Sequence, residues 1–564
     1  MSKKILTVKY FNGGIGDSDK EGVKGSFYLS RNLDILSEPT NITLNPATAL
    51  NSTTIVVDLV KWFVSGSPYD TNLYAVGDTG KIYKATSASP RVWSVLQTTS
   101  NCYGQGLELF NDYLYYTQNT QIGRYGLLSG TPSFTDAWQT GLNDTSAAGK
   151  RYAPIKTFAN GLAVGHGNYL GWWDGTVWDV DRLIFPPGYN ARTMDVIDEY
   201  LVIGTWKGSS ITDSESGIAF FWDGTAKYYN FFVKIPEGGV QALINSRNRL
   251  MTIAGANGNL YLNSSPFQKV DSIPYLPTSK TVEIYPGAVA NWQGVTLIGV
   301  AGNTDSSTLP QGVYQYGSKS DRYSEVLNLA YTPSHGKTAA TTLHIGALVG
   351  LGDELFISWQ DNTPTTITGV VFSNPSSTTV MGTKTNHGLG TGSIIVITGC
   401  TQTYANATWT VTKLTADTFT LDSALWASFT GSDVTGDCTT ASTYGVDRVI
   451  ITASPFATGS YQSLIFDDNR SLQEKLAITL VATHKALASG ESIQLGYDTN
   501  RSGTYTTGSV NSTVGSVITR LPIQTSKARF YEFQFEVLLA TSVATSPTVT
   551  SIGLEYDSGS ETLV

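Results

Sequence analysis

Histidines and cysteines, which commonly bind metals or act as nucleophiles, are few and widely separated in this sequence. The chain has five histidines and three cysteines among 564 residues. The cysteines, Cys102, Cys400 and Cys438, lack the close pairs typical of zinc sites, so we expect free thiols in a reducing compartment. His387 has no second histidine, cysteine or paired carboxylate at ligand spacing. We therefore expect it to bond to backbone atoms in a turn.

One short run has the alternating oxygen-bearing side chains of a calcium loop. It contains Asp498, Asn500 and Ser502, followed by Gly503. The twelfth position of the run is Ser509, which cannot supply the bidentate carboxylate that closes such a loop. A simple turn is the better prediction. The sequence as a whole predicts no metal site and no cofactor.

Sequence motifs of catalysis are also missing. There is no Gly-x-Ser-x-Gly turn and no Walker loop. A glycoside hydrolase needs two facing carboxylates, or a tyrosine with an acidic partner. The run from Asp174 to Trp178 matches only part of the Ser-x-Asp-x-Gly-x-Thr-Trp turns of sialidases. We predict that the protein is not an enzyme, and glycan depolymerisation is the weakest of the functions considered.

The composition indicates an all-β chain with many turns. Glycine occurs 56 times and tyrosine 30 times, whereas only 14% of residues are charged. The length predicts two to four domains. No apolar run is long enough to span a membrane, and the start MSKKILTVKYF lacks the apolar region of a secretion signal. The net charge of −9 is spread along the chain, which argues against sequence-specific nucleic-acid binding.

A repeated unit, clearest between Ala159 and Leu262, organises the first two thirds of the chain. In each copy a turn leads into a short apolar strand, and a second strand with an aromatic side chain follows. The first apolar strands are centred 39 to 58 residues apart, at Leu73, Leu114, Leu162, Leu201, Leu250, Leu297 and Leu355. This spacing is close to that of β-propeller blades, which bury one another's faces around an axis. We predict a roughly seven-bladed β-propeller, with a long β-sandwich or a β-solenoid as alternatives.

Aromatic residues in the second strands are the candidate surface or blade residues. They are Trp172, Trp173, Trp222 and Tyr261. Two copies close with Trp-Asp-Gly-Thr, and Asp-Gly is typical of tight β-hairpin turns. Packing between blades is the favoured role, because large flat side chains fill the wedge between twisted sheets. Stacking against a ligand is the alternative role.

Changes in composition and strand pattern along the chain predict four segments. Residues 1–50 form an extended arm with one strand in SFYLSRNLDI, which either folds back or reaches a neighbouring subunit. Residues 51–362 and 442–456 form the propeller. Residues 363–441 form a small β-barrel or sandwich of four or five strands, inserted in the last blade between DELFISWQDN and STYGVDRVIITASPF, where an insertion at a hairpin tip costs little. Residues 457–564 form a jelly-roll-like β-sandwich.

The inserted segment carries a recognisable series of short runs. They are TNHGL at 385–389, IIVITG at 394–399, YANATWTV at 404–411 and TFTLD at 418–422. Together they resemble a module common in virion proteins of tailed bacteriophages, in which an NHGL-TGD segment precedes YNGTWTVT and FTLD. This chain has Ser393 where Asp is usual, and Ala405-Asn406-Ala407 where Asn-Gly is common. The ending SPTVTSIGLEY at 546–556 is similar to the C-terminal sandwiches of phage tail and baseplate proteins.

The resemblance implies a structural protein of a bacteriophage tail, of the nozzle, hub or fibre-attachment type. Such a protein is assembled in the host cytoplasm and resides in the tail of the virion. Its partners would be other tail proteins and further copies of itself, for which a hexameric ring is the expected form. The alternative function is a receptor-binding tail protein that recognises a host surface glycan.

Overall fold

The protein is described by a computed structural model in which every regular element is a β-strand. It describes residues 3–16, 20, 24–51, 58–87, 90–99, 101–143, 152–208, 217–262, 268–273, 282–301, 311–317, 325–333, 343–361, 366–376, 379–387, 389, 393–401, 405–422, 434–452, 455–470, 472–523 and 528–558. The described residues form 45 strands and no α-helix. No helix in this described part is long and apolar enough to cross a membrane.

Five short strands lie in the N-terminal segment. Strands β1 to β5 are Lys3–Val8, Phe27–Arg31, Leu33–Asp34, Thr43–Leu44 and Ala49–Leu50. The predicted single strand in SFYLSRNLDI is therefore wrong. Two strands, β2 and β3, are separated by Asn32, whose φ of 55° breaks the extended backbone.

Five separate four-stranded antiparallel sheets follow along the chain. Sheet 1 contains β6 to β9, which are Val60–Ser65, Leu73–Gly77, Lys81–Ala85 and Trp93–Thr98. Sheet 2 contains β10 to β13, which are Leu107–Phe110, Tyr113–Thr117, Gln121–Gly126 and Ser133–Thr140. Sheet 3 contains β14 to β17, which are Ile155–Phe158, Gly161–His166, Tyr169–Trp173 and Trp178–Ile184. Sheet 4 contains β18 to β21, which are Tyr189–Ile197, Tyr200–Lys207, Ile218–Trp222 and Phe231–Lys234. Sheet 5 contains β22 to β25, which are Val240–Ser246, Arg249–Ala254, Asn259–Leu262 and Gln268–Ser272.

The same meander continues in two larger sheets. Strands β26 to β29 are Val289–Trp292, Val295–Gly299, Val313–Gly317 and Val326–Tyr331. Strands β30 and β31, which are Leu343–Leu351 and Glu354–Asp361, form the next hairpin. All seven leucines that mark the repeat are fully buried. Each leucine lies in the second strand of its sheet. The prediction that these leucines mark the first strand of each repeat is therefore wrong.

Left-handed two-residue turns join the first and second strands of several sheets. Positive φ angles occur at Asn111 and Asp112, Ala159 and Asn160, Arg247 and Asn248, and Gln293 and Gly294. Such turns match the right-handed twist of the strands they connect, and Asn, Asp and Gly adopt them most readily. The turn therefore sets the register that puts each leucine into the core.

The first strands of successive sheets contact one another around an axis. The contacts run from β6 through β10, β14, β18, β22 and β26 to β30, and β30 contacts β6. Separate apolar clusters fill the wedges between neighbouring sheets, as between sheets 1 and 2 or between sheets 3 and 4. The chain is therefore all-β with a propeller-like ring of sheets, as predicted.

A closed six-stranded barrel interrupts the last hairpin. Strands β32 to β37 are Thr366–Ser376, Thr379–Thr383, Ile394–Thr398, Thr408–Lys413, Thr418–Leu421 and Val434–Ile450. The pairing order is β37-β32-β33-β36-β35-β34, and β34 returns to β37. The predicted four or five strands become six because the first half of β37 joins the barrel. Gly388, Gly392 and Tyr404 of the resembling module lie outside the described residues.

The second half of β37 returns to the ring. It pairs with β31 from Glu354 opposite Ile450 to Asp361 opposite Thr443. This confirms the predicted partner of the DELFISWQDN strand. Strand β5 then pairs with β37 on its other side, so the N-terminal segment supplies the outermost strand of the last sheet.

The C-terminal residues form two further layers. Strands β38 to β45 are Gly459–Ser463, Lys475–His484, Glu491–Thr499, Thr506–Thr507, Ile518–Pro522, Arg529–Phe530, Phe533–Thr541 and Val549–Asp557. One sheet has the order β1-β45-β39-β42, with β43 also paired to β39. The other continues from the ring as β26-β27-β28-β29-β2-β38-β44-β40-β41. The predicted single strand in ARFYEFQFEVLLAT is wrong, because the chain crosses from one sheet to the other between Phe530 and Phe533.

Candidate functional site

A broad cleft opens on the face of the ring where the first hairpins of sheets 3, 4 and 5 end. We call it the axial cleft; its volume is about 970 Å³. Its lining residues are Lys156, Thr157, Phe158, Ala159, Asn160, Asp195, Val196, Asp198, Ile244, Asn245, Arg247, Asn248 and Asn291. A smaller cavity of about 190 Å³ lies between the first strands and shares Lys156, Asp195 and Ile244 with the cleft. The cleft is therefore the mouth of the ring's axis.

An ion pair forms the floor of the axial cleft. Lys156 Nζ lies 2.8 Å from Asp195 Oδ1, and the lysine side chain is 33% exposed. Burial opposes the charge of Lys156, but Asp195 and Glu108 outweigh it and raise its pKa to about 12. Burial raises the pKa of Glu108, although Lys156 acts in the opposite direction. Lys156 is thus a fixed cation flanked by two carboxyl groups.

Both oxygens of Asp195 are engaged by the protein. Oδ1 accepts a hydrogen bond from the amide of Val196 at 2.9 Å as well as the lysine contact. Oδ2 accepts from the amide of Asn245 at 2.6 Å. Because both oxygens are occupied by these contacts, Asp195 serves to hold Lys156 and the neighbouring first strand in position.

Asparagine side chains connect neighbouring first strands beneath the cleft. Asn245 Nδ2 donates to Val196 O at 3.2 Å. Asn291 Nδ2 donates to Asn245 O at 2.6 Å, and Thr296 Oγ1 donates to Asn291 Oδ1 at 3.0 Å. The two asparagine-to-carbonyl pairs each join residues about one repeat apart in the sequence, so the same position of the repeat links sheets 4, 5 and the next meander. Thr296 fixes the Asn291 amide within its own hairpin.

The polar side chains on the rim of the cleft are more exposed to solvent than the ion pair of the floor. Asn160, Asp198 and Asn248 are exposed and have positive φ angles. Within the described part of the chain, none of these three side chains has a hydrogen-bond partner. Arg247 is held, because its Nε donates to Gly294 O at 2.9 Å and Nη1 lies 3.6 Å from a Glu325 oxygen. The rim thus presents amide and carboxylate groups on short, defined turns.

The aromatic residues singled out in the sequence lie between sheets and not in the cleft. Trp172 and Trp222 are buried, with ring centroids 5.2 Å apart in an edge-to-face arrangement. Trp173 packs edge-to-face against Trp138 at 4.9 Å. Tyr261 is buried in the wedge between sheets 4 and 5. The cleft residue Phe158 contacts both Trp172 and Trp222, so the aromatic cluster supports the cleft from behind.

The charged residues of the cleft floor were not predicted as a site, although the sequence contains a pattern that could have identified them. Glu108, Lys156 and Asp195 each stand three residues before the first turn of their repeat. Aligning the repeats on that turn, and not on the leucine, places all three side chains at one level of the axis. Charged residues at a single inner position of three consecutive repeats indicate a polar axial site.

The other chemical candidates lie in turns or in cores. His387 Nε2 lies 3.2 Å from Thr415 O, and its Nδ1 accepts from the Leu389 amide at 3.0 Å, which confirms the predicted turn role. Asp498 accepts from the amides of Ser502 and Gly503 at 3.0 Å each, which confirms a turn there. The three cysteines are buried free thiols, as predicted.

Comparisons with known proteins add two observations. No family model matches the sequence, and no curated protein matches it. Among solved structures, the WD40 β-propeller domain of Doa1 is similar at a TM-score of 0.36 with 10% identity, covering 55% of this chain and 93% of that one. The Pan2 WD40 domain of Neurospora crassa is similar at 0.33 with 9% identity, covering 53% and 86%. Both TM-scores are too low to establish a shared fold. The fold is therefore defined by the strand topology described above.

Proposed function

We propose that the protein is a structural component of a bacteriophage tail, of the nozzle or hub type. The observation that carries this proposal is the continuous sheet that runs from the ring through β2 into the C-terminal layers. Because strand pairing joins the N-terminal segment, the ring and the C-terminal layers, the chain is built as one stiff body. The module resemblance at residues 385–422 supplies the virion context.

The proposed architecture is a seven-bladed propeller with its small barrel carried on the last blade and a jelly-roll-like C-terminal sandwich. The ring of contacts from β6 to β30 supports the seven blades. Strand β5 would complete the last blade, which otherwise consists of β30, β31 and half of β37. In this arrangement the barrel projects from the outer edge of the last blade, where another tail protein could bind it.

Subunit contacts in such a tail would involve the outer strands. Several exposed apolar side chains lie on or beside the outer strands of sheets 3 and 4, and they are Val177, Ile184, Tyr228, Phe231 and Phe232. Exposed apolar surface is a common component of protein contacts. We propose that a second copy of the chain covers them in a hexameric ring.

Oligomeric state and assembly test the proposal. Light scattering and electron microscopy of the full chain, alone and mixed with tail proteins of the same phage, are expected to show closed rings. The double variant Phe231→Ser and Phe232→Ser should reduce ring formation. The control Leu472→Ser, at a residue that is 95% exposed on the C-terminal layers, should not. A chain that stays monomeric and joins no tail assembly would contradict the structural role.

The axial cleft favours a second candidate, a receptor-binding tail protein that recognises a host surface glycan. Its free rim amides are the specific observation, and their chemistry is developed below. Glycan depolymerisation is a weaker third candidate, because Asp195 is held by Lys156 and Asn245. A hydrolase would need a second, unoccupied carboxylate facing it.

A further inference from the structure

We propose that the axial cleft binds a neutral oligosaccharide through the side chains of its rim. The proposal rests on the cleft itself and not on the structural role proposed above, although it would give the second candidate function a defined site. Four features of the described cleft residues carry it: the polar groups of the rim, the size of the cleft, the balance of charge, and the bonded or buried state of the groups that a peptide would use.

The hydrogen-bonding groups of the rim suit hydroxyl-rich ligands. Asn160 and Asn248 each offer a carbonyl acceptor and two N–H donors, and Asp198 offers two acceptor oxygens. Sugar hydroxyls both donate and accept, so mixed amide and carboxylate groups can satisfy adjacent hydroxyls in pairs. The three residues sit on hairpin turns of sheets 3, 4 and 5, so little backbone freedom is lost when a ligand binds.

The size of the cleft fits more than one sugar ring. Its volume of about 970 Å³ lies at the upper end of ordinary ligand sites, which span roughly 300–1,000 Å³. The three rim residues come from three successive sheets and therefore lie along one side of the mouth of the axis. A ligand that touches all of them must extend along this side, as a short oligosaccharide would.

The charges of the cleft disfavour an acidic ligand. Lys156 is neutralised by Asp195 at 2.8 Å and has Glu108 beside it. Arg247 donates to Gly294 O and lies 3.6 Å from a Glu325 oxygen that also pairs with Arg249. Asp198 is the charged rim group that has no partner among the described residues. The charged residues of the lining, Lys156, Arg247, Asp195 and Asp198, therefore balance in number, and a carboxylate or sulfate on the ligand would find no net positive charge to pair with.

A peptide is a poorer occupant for two structural reasons. The axis-facing amides of β22 are already bonded, Leu243 N to Thr193 Oγ1 at 3.2 Å and Asn245 N to Asp195 Oδ2 at 2.6 Å. They cannot pair with an added strand. Phe158 and Ile244, two apolar residues of the lining, are each only 7% exposed, so they offer little surface to an apolar anchor residue.

The test uses the full-length chain on an array of neutral and acidic glycans, followed by calorimetric titration with the best neutral tetrasaccharide and with tetragalacturonate. We expect neutral glycans to bind and tetragalacturonate not to bind. The triple variant Asn160→Gly, Asp198→Gly and Asn248→Gly keeps turn backbones that glycine adopts freely. It should weaken binding by about tenfold or more, since several hydrogen bonds are lost.

The matched control is Asn111→Gly, which makes the same change in the first turn of sheet 2 at a φ of 45°, outside the cleft. It should bind like the unchanged protein, and melting curves should show all variants folded. Absence of neutral glycan binding, binding confined to acidic glycans, or equal binding by the triple variant would each overturn the proposal. None of these outcomes depends on assembly of several chains into a hexamer. Failure of the proposed structural role would therefore be recognised separately.

Discussion

Indole and phenyl rings at the centre of sheets 3 and 4 hold these two sheets together. Trp222 is fully buried, and its Nε1 donates to Ala226 O at 2.8 Å. Its ring contacts Trp172 and Phe158. Such a residue is a packing element, because a ligand cannot reach it without opening the wedge between the sheets.

The substitution Trp222→Ala is expected to lower the free energy of unfolding by about 3–5 kcal/mol, since it leaves a cavity and loses an edge-to-face contact. Chemical denaturation followed by circular dichroism measures this loss. Tyr228→Ala is the control, because Tyr228 is 71% exposed and should change stability by less than about 0.5 kcal/mol. Equal effects of the two substitutions would contradict a packing role for Trp222.

A second prediction at the residue scale concerns Glu532, which ties the N-terminal segment to the C-terminal layers. Its carboxylate pairs with Lys20 and with Arg501 Nε at 2.6 Å. Burial acts to raise the pKa of Glu532, but hydrogen bonds from Arg501 and Lys20 outweigh it and hold the pKa below its usual value. Because the folded pKa is depressed, the stabilisation is present above the ordinary pKa of about 4.3 and is lost as the pH falls through the folded pKa.

Glu532→Gln should therefore destabilise the protein by about 1 kcal/mol at pH 7, and the difference from the unchanged protein should shrink below about pH 4. Denaturation midpoints over this pH range provide the measurement. Glu474→Gln removes the exposed Arg529–Glu474 pair and should have no resolvable effect. A Glu532→Gln deficit that persists unchanged at pH 3 would exclude the ionic explanation.

At the scale of elements, the closure of the ring depends on close approach between β30 and β6. A Cβ atom on Gly346 would overlap Val60 O and lie 2.6 Å from Leu59 Cδ1. Neither the β6 backbone nor the adjoining core can yield without separating the strands. The glycine is needed here for space.

Gly346→Ala should consequently destabilise the chain by about 1–3 kcal/mol and lower the temperature of unfolding. Differential scanning calorimetry detects the change. In Gly553→Ala, the added Cβ would have its nearest neighbour, Leu6 O, at an ordinary 3.6 Å, so this control should be close to neutral. If Gly346→Ala is also neutral, β30 and β6 are not tightly joined.

The elements also show why only part of the structure follows from the sequence. Second strands such as Gly161–His166 are wholly buried and read as apolar runs, so the repeat is visible. First strands carry Glu108, Lys156 or Asp195 toward the axis, and this breaks the apolar pattern by which strands are recognised. The axial cleft forms from turns of three repeats, and no local motif encodes that meeting. Pairings such as Lys3 with Asp557 are equally invisible to local patterns.

At the scale of the whole molecule, the barrel and the C-terminal layers differ in how they depend on the ring. The barrel has its own apolar cluster, including Phe372, Ile395 and Phe419. The C-terminal layers instead share one cluster with the ring and with β2, including Phe27, Tyr461 and Trp359. The barrel should be separable, and the C-terminal layers should not be.

Replacing residues 362–442 by Asn-Gly would join Asp361 to Thr443, which are paired across β31 and β37. A two-residue turn of this kind closes a hairpin without strain. We expect the shortened protein to melt within about 3 °C of the full chain, as measured by calorimetry. A chain ending at residue 452 is the comparison and should fail to fold, because it removes the partners of β1 and β2. Unfolding of the barrel deletion would show that the barrel holds the ring together.

The pairing of β1 with β45, β2 with β38 and β5 with β37 has a consequence for biosynthesis. A ribosome makes the first fifty residues hundreds of residues before their partners. At about 5–20 residues per second, these strands wait roughly half a minute to two minutes for them. Until then the nascent chain carries unpaired edges that chaperones must shield from aggregation. The sheets that join the N-terminal segment to the C-terminal layers can therefore be completed only after translation has nearly finished.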